Sequence, residues 1–169
     1  MNFGAIAAED SLTMPTTLLW LFVVNLGTVF GAGFYEARIT TARWRGPSVA
    51  AGPGWHPEEA RRDDVGRRFW GFTTTLPLTL LTLGNLWLAA RASEPARAWW
   101  LAAGVVALAE RTVTFGYFIP QMVKLMAMED SPSARARSTQ WLRLNAIRLL
   151  LVLAAWLCSL QALVLLRNS

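Results

Sequence analysis

"WWLAAGVVALAERTVTFGYFIPQMVKLM", residues 99–126, begins as a lipid-solvated helix should, with aromatic, small and aliphatic side chains. Then Glu110 and Arg111 place a full acid beside a full base, eleven residues after Trp99 and ten before Pro120. An ionisable side chain at the middle of a bilayer costs about 2.5–3.5 kcal/mol on insertion scales, so such residues face a bundle interior or a polar cavity. The stretch is therefore a membrane helix with an inward, functional face, and the rest of the chain can be read from it.

Three further apolar runs share its length: about Pro15 to Tyr35, Phe69 to Ala90, and Trp141 to Leu166. Each is near the roughly 20 residues that cross a hydrocarbon core. A backbone in lipid must satisfy its own hydrogen bonds, which makes each run a helix. The short alternating segments of a membrane β-barrel are absent. Charged residues make up 16% of the chain, below the roughly 25% of soluble domains. The expected fold is all-α: one polytopic membrane domain over 1–169, a four-helix bundle with helices at about 15–35, 69–90, 99–126 and 141–166. A long surface loop, 37–68, joins the first two.

The formal charge of +5 follows this topology. Seven Arg (38, 43, 45, 61, 62, 67, 68) lie from Glu36 to Arg68, and four basic residues (124, 135, 137, 143) lie in the segment from Lys124 to Arg143. Arg91, Arg97 and Arg167 are the three on the other side. The positive-inside rule then puts both termini outside and the long loop in the cytoplasm, as in a bacterial inner membrane. The basic residues meet lipid headgroups rather than nucleic acid. "MNFGAIAAEDSL" lacks the basic start of a cleavable signal, so the first run is expected to be retained. The single cysteine, Cys158, excludes an intrachain disulfide and thiol-exchange chemistry, and is expected to be a small buried hydrophobe.

The long loop reads as a lid at the membrane surface. Pro57 followed by Glu58 and Glu59 has the form of a helix start, and Trp44 and Trp55 are expected to anchor it at the interface. By contrast, "EDSPSARARSTQ", 129–140, reads as a polar turn, and "RASEPAR", 91–97, as a short link between antiparallel neighbours. Gly27, Gly31 and Gly33 allow close helix approach in the first run.

Helical spacing gathers the polar residues. Glu110, Thr114, Tyr117 and Gln121 recur at i, i+4, i+7 and i+11, one stripe. Trp141, Asn145 and Arg148 form a second in the fourth run. Asn25, Tyr35 and Glu36 come from the first run and Thr74 from the second. With Glu110 and Arg111 as a floor, these predict a cavity inside the bundle that opens to the basic side beneath the loop. Pro77 and Pro120 each displace the carbonyl four residues back, those of Thr73 and Gly116. A purely structural Glu110–Arg111 or Glu110–Arg148 pair is the competing reading. His56 is the only histidine. It could join Glu36, Glu58 and Glu59 as a metal site, or Met122, Met126 and Met128 could hold copper, but neither set matches an established ligand pattern, so no metal or other cofactor is expected.

Three stretches carry a family resemblance: "GAGFYEARITTARW", "FGYFIPQMVKLM" and "WLRLNAIRLLLVLAAW". The last contains a W-x3-N-x2-R pattern, Trp141, Asn145 and Arg148. Together they resemble the anthrone-oxygenase-like family of small four-helix membrane proteins. The resemblance implies enzymes that oxidise an electron-rich anthrone to a quinone without metal or flavin, in secondary metabolism. It carries over Asn145 and Arg148 as site residues. Glu110 as base, Arg111 as counter-ion and Tyr117 as hydrogen-bond donor come from the stripe. The expected function is a membrane enzyme acting on a small lipophilic aromatic or polyketide-like substrate, by oxygenation or by proton transfer. A lipophilic-ligand carrier and a structural subunit of a membrane complex are the alternatives, and association into a homo-oligomer stays open.

Overall fold

The computed structural model describes residues 3–45, 47–48 and 52–168, with side chains over 14–45 and 54–168. The side chains of the amino-terminal segment, with Glu9 and Asp10, lie outside the described residues, as do Gly46 and Val49 to Ala51 of the loop. The described chain is helical apart from one antiparallel ladder in the loop, β1 (Pro47–Ser48) against β2 (Gly52–Pro53). The long helices are α1 (Phe3–Tyr35), α4 (Leu76–Ala89), α5 (Ala96–Val113) and α7 (Pro132–Arg167). Short helices α2 (Thr41–Trp44), α3 (Pro57–Asp63) and α6 (Ile119–Met126) complete the set.

Three π-helical segments link these pieces: Glu36–Thr40 continues α1 into α2, Gly66–Thr75 leads into α4, and Thr114–Phe118 joins α5 to α6. Two of them end just before a proline, Pro77 or Pro120. Proline lacks the N–H that an α-turn needs, and a π segment is one way a helix absorbs that loss. The freed carbonyl of Thr73 accepts a hydrogen bond from Asn25 Nδ2 at 2.9 Å. Pro77 therefore ties α1 to the second helix rather than offering a carbonyl to a ligand.

The long helices close a ring in which α7 packs on α5, α5 on α4, α4 on α1 and α1 on α7. Leu19, Phe22, Leu26, Leu78, Trp100 and Val152 fill its centre. Trp100 donates through Nε1 to Asn85 Oδ1 at 2.9 Å, and Asn85 donates in turn to the Leu18 carbonyl at 3.2 Å. Small residues set the spacing: a Cβ on Gly27 would lie 3.1 Å from Trp156, and one on Gly104 2.6 Å from Leu86 Cδ2. Gly33 meets Leu149 in the same way, whereas Gly31, expected to do so, faces open space.

Three helical stretches, Met14–Trp44, Ala96–Met126 and Pro132–Arg167, are long and apolar enough to cross a membrane. The fourth, through 66–89, forms where expected, but Thr73, Thr74, Thr75, Thr79, Thr82 and Asn85 dilute its apolar character. Leu21, Val24, Leu80, Leu150, Leu157 and Val164 project outward. An apolar exterior of this kind is stable in lipid and would be costly in water. These are the features of an integral membrane protein.

Two boundaries differ from expectation. The polar stretch 129–140 is not a turn: Ser131 caps α7 by accepting from Ala134 N at 3.2 Å, and Pro132 occupies the first helical position. The first helix also runs past Tyr35 to Trp44, so the loop begins later. Pro57 does start a helix. Trp44 and Trp55 are buried rather than interfacial. Each indole has a better partner than lipid headgroups: Trp44 Nε1 donates to Asp63 Oδ2 at 3.0 Å, and Trp55 Nε1 to the Leu125 carbonyl at 3.1 Å.

Candidate active site

The charged pair of the third run is fully buried. Arg111 donates through Nε to Glu110 Oε2 at 2.6 Å and through Nη2 to Oε1 at 2.9 Å. Thr114, one turn on, donates to Glu110 Oε1 at 2.8 Å. Arg148 of α7 brings Nη1 to 3.9 Å from the same oxygen. Glu110 is thus held by its own helix and bridged weakly to the next. A bidentate, hydrogen-bonded pair of this kind is the form in which lipid-buried charge is tolerated.

Above this pair lies a cavity of about 670 Å³. Arg111, Thr114, Arg148 and Glu36 supply its polar floor and wall, with Thr74 and Thr75 beside them. Trp70, Phe118, Trp141 and Trp44 supply aromatic walls, and Ile119, Met122, Val123 and Met126 an aliphatic one. The loop adds Arg61, Asp64, Val65, Gly66 and Arg67 to the lining. Each π segment contributes to this lining: Glu36; Trp70 and Thr74; Thr114 and Phe118.

The polar groups are ordered. Trp70 Nε1 donates to Glu36 Oε1 at 3.2 Å. The Arg148 guanidinium carbon stands 5.9 Å from the Trp70 ring centroid and 5.0 Å from that of Phe118. Both are cation–π distances. Trp141 Nε1 donates to the Phe118 carbonyl at 3.2 Å, and the two rings meet edge to face. Among the described residues, Arg111 Nη1 and Arg148 Nε are buried donors without a hydrogen-bond partner. Buried donors are nearly always paired in folded proteins, so two orphans on neighbouring arginines that both line the cavity mark this end of it as incompletely satisfied by the protein.

The lid is fastened on one side. Arg61 Nε donates to the Met126 carbonyl at 2.7 Å. Trp55 N donates to Asp130 Oδ1 at 2.9 Å, and Arg135 Nε donates to the same oxygen at 2.8 Å. The Arg135 hydrogen bond, then that of Trp55, holds the Asp130 carboxyl well below the usual carboxylate range. A carboxyl easier to ionise when folded contributes above its unfolded pKa and loses that only as pH falls through the folded value. The fastening is therefore in force at neutral pH and weakens only in strong acid.

Not every expected residue reaches the cavity. Arg111 and Thr114 line it and Glu110 lies out of its lining, hydrogen-bonded to both, but Tyr117 and Gln121 leave the stripe for a separate cleft of roughly 310 Å³ with Arg137 and Gln140. The cause is the π segment. Its wider turn carries the inward face from Thr114 to Phe118, Met122 and Met126, one place later than a straight α-helix would. Tyr35 is exposed. Asn25 spends its amide on Thr73. Asn145 is 1% exposed, does not line the cavity, and has neither amide atom hydrogen-bonded. Trp141, Arg148, Glu36 and Thr74 are on the wall. Trp70, Phe118 and Met122 complete it; only the proline signal hinted at the register shift that brings in Phe118 and Met122.

Nor does a metal cluster form: among the described residues no group of three or more His, Cys, Asp or Glu stands together. Glu58 and Glu59 pair instead with Arg61 and Arg62 one turn away on α3.

A model of the anthrone oxygenase family matches residues 66–158, more than half of the chain. The chain belongs to the anthrone oxygenase family. Among curated proteins and solved structures no further match is found. The matched span carries Trp70, Thr74, Arg111, Thr114, Phe118, Trp141, Asn145 and Arg148, so this family's segment supplies the floor and most of the wall. Glu36, Trp44 and the start of the lid lie before it, as does the stretch "GAGFYEARITTARW".

Proposed function

We propose that the chain is a membrane enzyme that oxidises a small lipophilic aromatic, an anthrone or similar polyketide-like phenol, with molecular oxygen. The observation that carries this reading is the pair of guanidinium side chains, Arg111 and Arg148, that line an aromatic-walled cavity with part of their hydrogen-bonding capacity unused by the protein. An anthrone that loses a methylene proton becomes a phenolate, and that anion is itself the reductant for oxygen. Donors fixed in advance where this negative charge develops are the largest single contribution a protein makes to such a reaction. The aromatic walls offer flat apolar surface to a fused ring system, and the membrane supplies a substrate of low water solubility. The orientation that fits the charge distribution has the lid on the cytoplasmic side of a bacterial inner membrane, with membrane lipids as the other partner.

Oxygen uptake by the detergent-solubilised chain, with anthrone as substrate, tests this. Arg148→Ala is expected to lower turnover by roughly 10²- to 10³-fold, the usual effect of losing one such donor, while the thermal transition stays cooperative. Wild-type turnover in a folded Arg148→Ala variant counts against the reading.

A further inference from the structure

We infer that Glu36, rather than Glu110, is the proton acceptor of this site, an assignment that rests on the reaction proposed above. Glu110 is ill placed for the role. It is 1% exposed and does not line the cavity. Its two oxygens are taken by Arg111 and Thr114. A base must reach the proton it removes, by contact or through one water.

Glu36 meets that condition. It lines the cavity at the end of α1, where the chain enters its first π segment. Trp70 holds one carboxylate oxygen at 3.2 Å, which leaves the other for a ligand. The same indole carries the Arg148 guanidinium against its ring. Acceptor and cation are therefore both ordered about one indole. A substrate lying along Trp70 presents its acidic carbon to Glu36 and its oxygen to Arg148.

The chemistry closes with these groups and oxygen. A methylene C–H bond breaks, the proton passes to Glu36, and the electron pair moves through the ring to the oxygen facing Arg111 and Arg148. The anion gives one electron to O2, and the resulting radical and superoxide combine to form the new C–O bond. The peroxide takes the proton back from Glu36. Loss of the second C–H proton with cleavage of the O–O bond leaves a carbonyl and one water. Across the sequence, a CH2 group and O2 become C=O and H2O.

Proton removal can be read without oxygen. Under anaerobic conditions in D2O, the full chain in detergent is expected to accelerate deuterium exchange at the methylene of anthrone. E36Q should lose roughly 10²- to 10⁴-fold of that acceleration. E36D, which keeps the charge beside Arg148, should fold, exchange more slowly than wild type, and show a displaced pH profile. Wild-type exchange in folded E36Q overturns the inference, and if E36Q fails to fold, wild-type exchange and an unmoved profile in E36D do the same. A wild type that neither exchanges anthrone nor consumes oxygen with it overturns the proposed function, and this assignment with it.

Discussion

Arg148 stands between two carboxylates of different duty. Glu110 lies 3.9 Å away, already chelated by Arg111; Glu36 faces the cavity with one oxygen held by Trp70. The first holds the floor together and the second is open to a substrate. Removing the charge of Glu110 would leave Arg111 buried and uncompensated, a change that costs about 3–5 kcal/mol. Glu110→Gln is accordingly expected to lower thermal stability in detergent sharply, and Glu36→Gln far less. Differential scanning fluorimetry of both variants checks this; equal destabilisation would remove the distinction. The charged residues announced themselves in the sequence because charge in an apolar run is expensive. Which carboxylate is free to face the cavity did not, because it depends on Glu110 being taken up by Arg111 and Thr114 of its own helix while Glu36 meets the Trp70 indole.

At the scale of elements, the π segments do most to shape the cavity. A stripe counted at 3.6 residues per turn brings Thr114 to the cavity, with Glu110 bonded to it from outside the lining, and loses Tyr117 to a separate cleft. Proline was the visible signal, but proline can kink, bulge or tilt a helix, and only packing against α7 and the lid selects among these. The tight crossing between α4 and α5 has a clearer sequence origin. A methyl group on Gly104 would meet Leu86 Cδ2 at 2.6 Å and Cγ at 2.7 Å. Gly104→Ala is expected to cost about 1–3 kcal/mol, as overpacking does. Gly31→Ala, which meets nothing within 4 Å, should leave the melting temperature where it is or raise it. Thermal melts of the two variants in the same detergent distinguish them.

For the molecule as a whole, four apolar runs and the distribution of arginine were enough to read an all-helical membrane protein. The lid was legible only in outline: Pro57 marks its helix, but nothing local shows that Trp44 and Trp55 turn inward to Asp63 and the Leu125 carbonyl. The orientation proposed from the charge distribution can be checked. With Cys158 replaced by Ser, a cysteine at Arg62 and one at Ser93 are expected to react with an impermeant thiol reagent from opposite sides of the membrane. Labelling of both from one side would contradict it. The wall made by Ile119 and Val123 has its own consequence. Both residues line the cavity and are among the exposed apolar side chains of α6, a helix within a membrane-crossing stretch, while Arg61 and Trp55 fasten the lid. A substrate entering by this side would be drawn from molecules dissolved in the bilayer, and the concentration governing the proposed reaction would be a mole fraction in lipid. Added empty detergent micelles or vesicles would slow turnover by diluting the substrate in two dimensions, with its amount per litre unchanged.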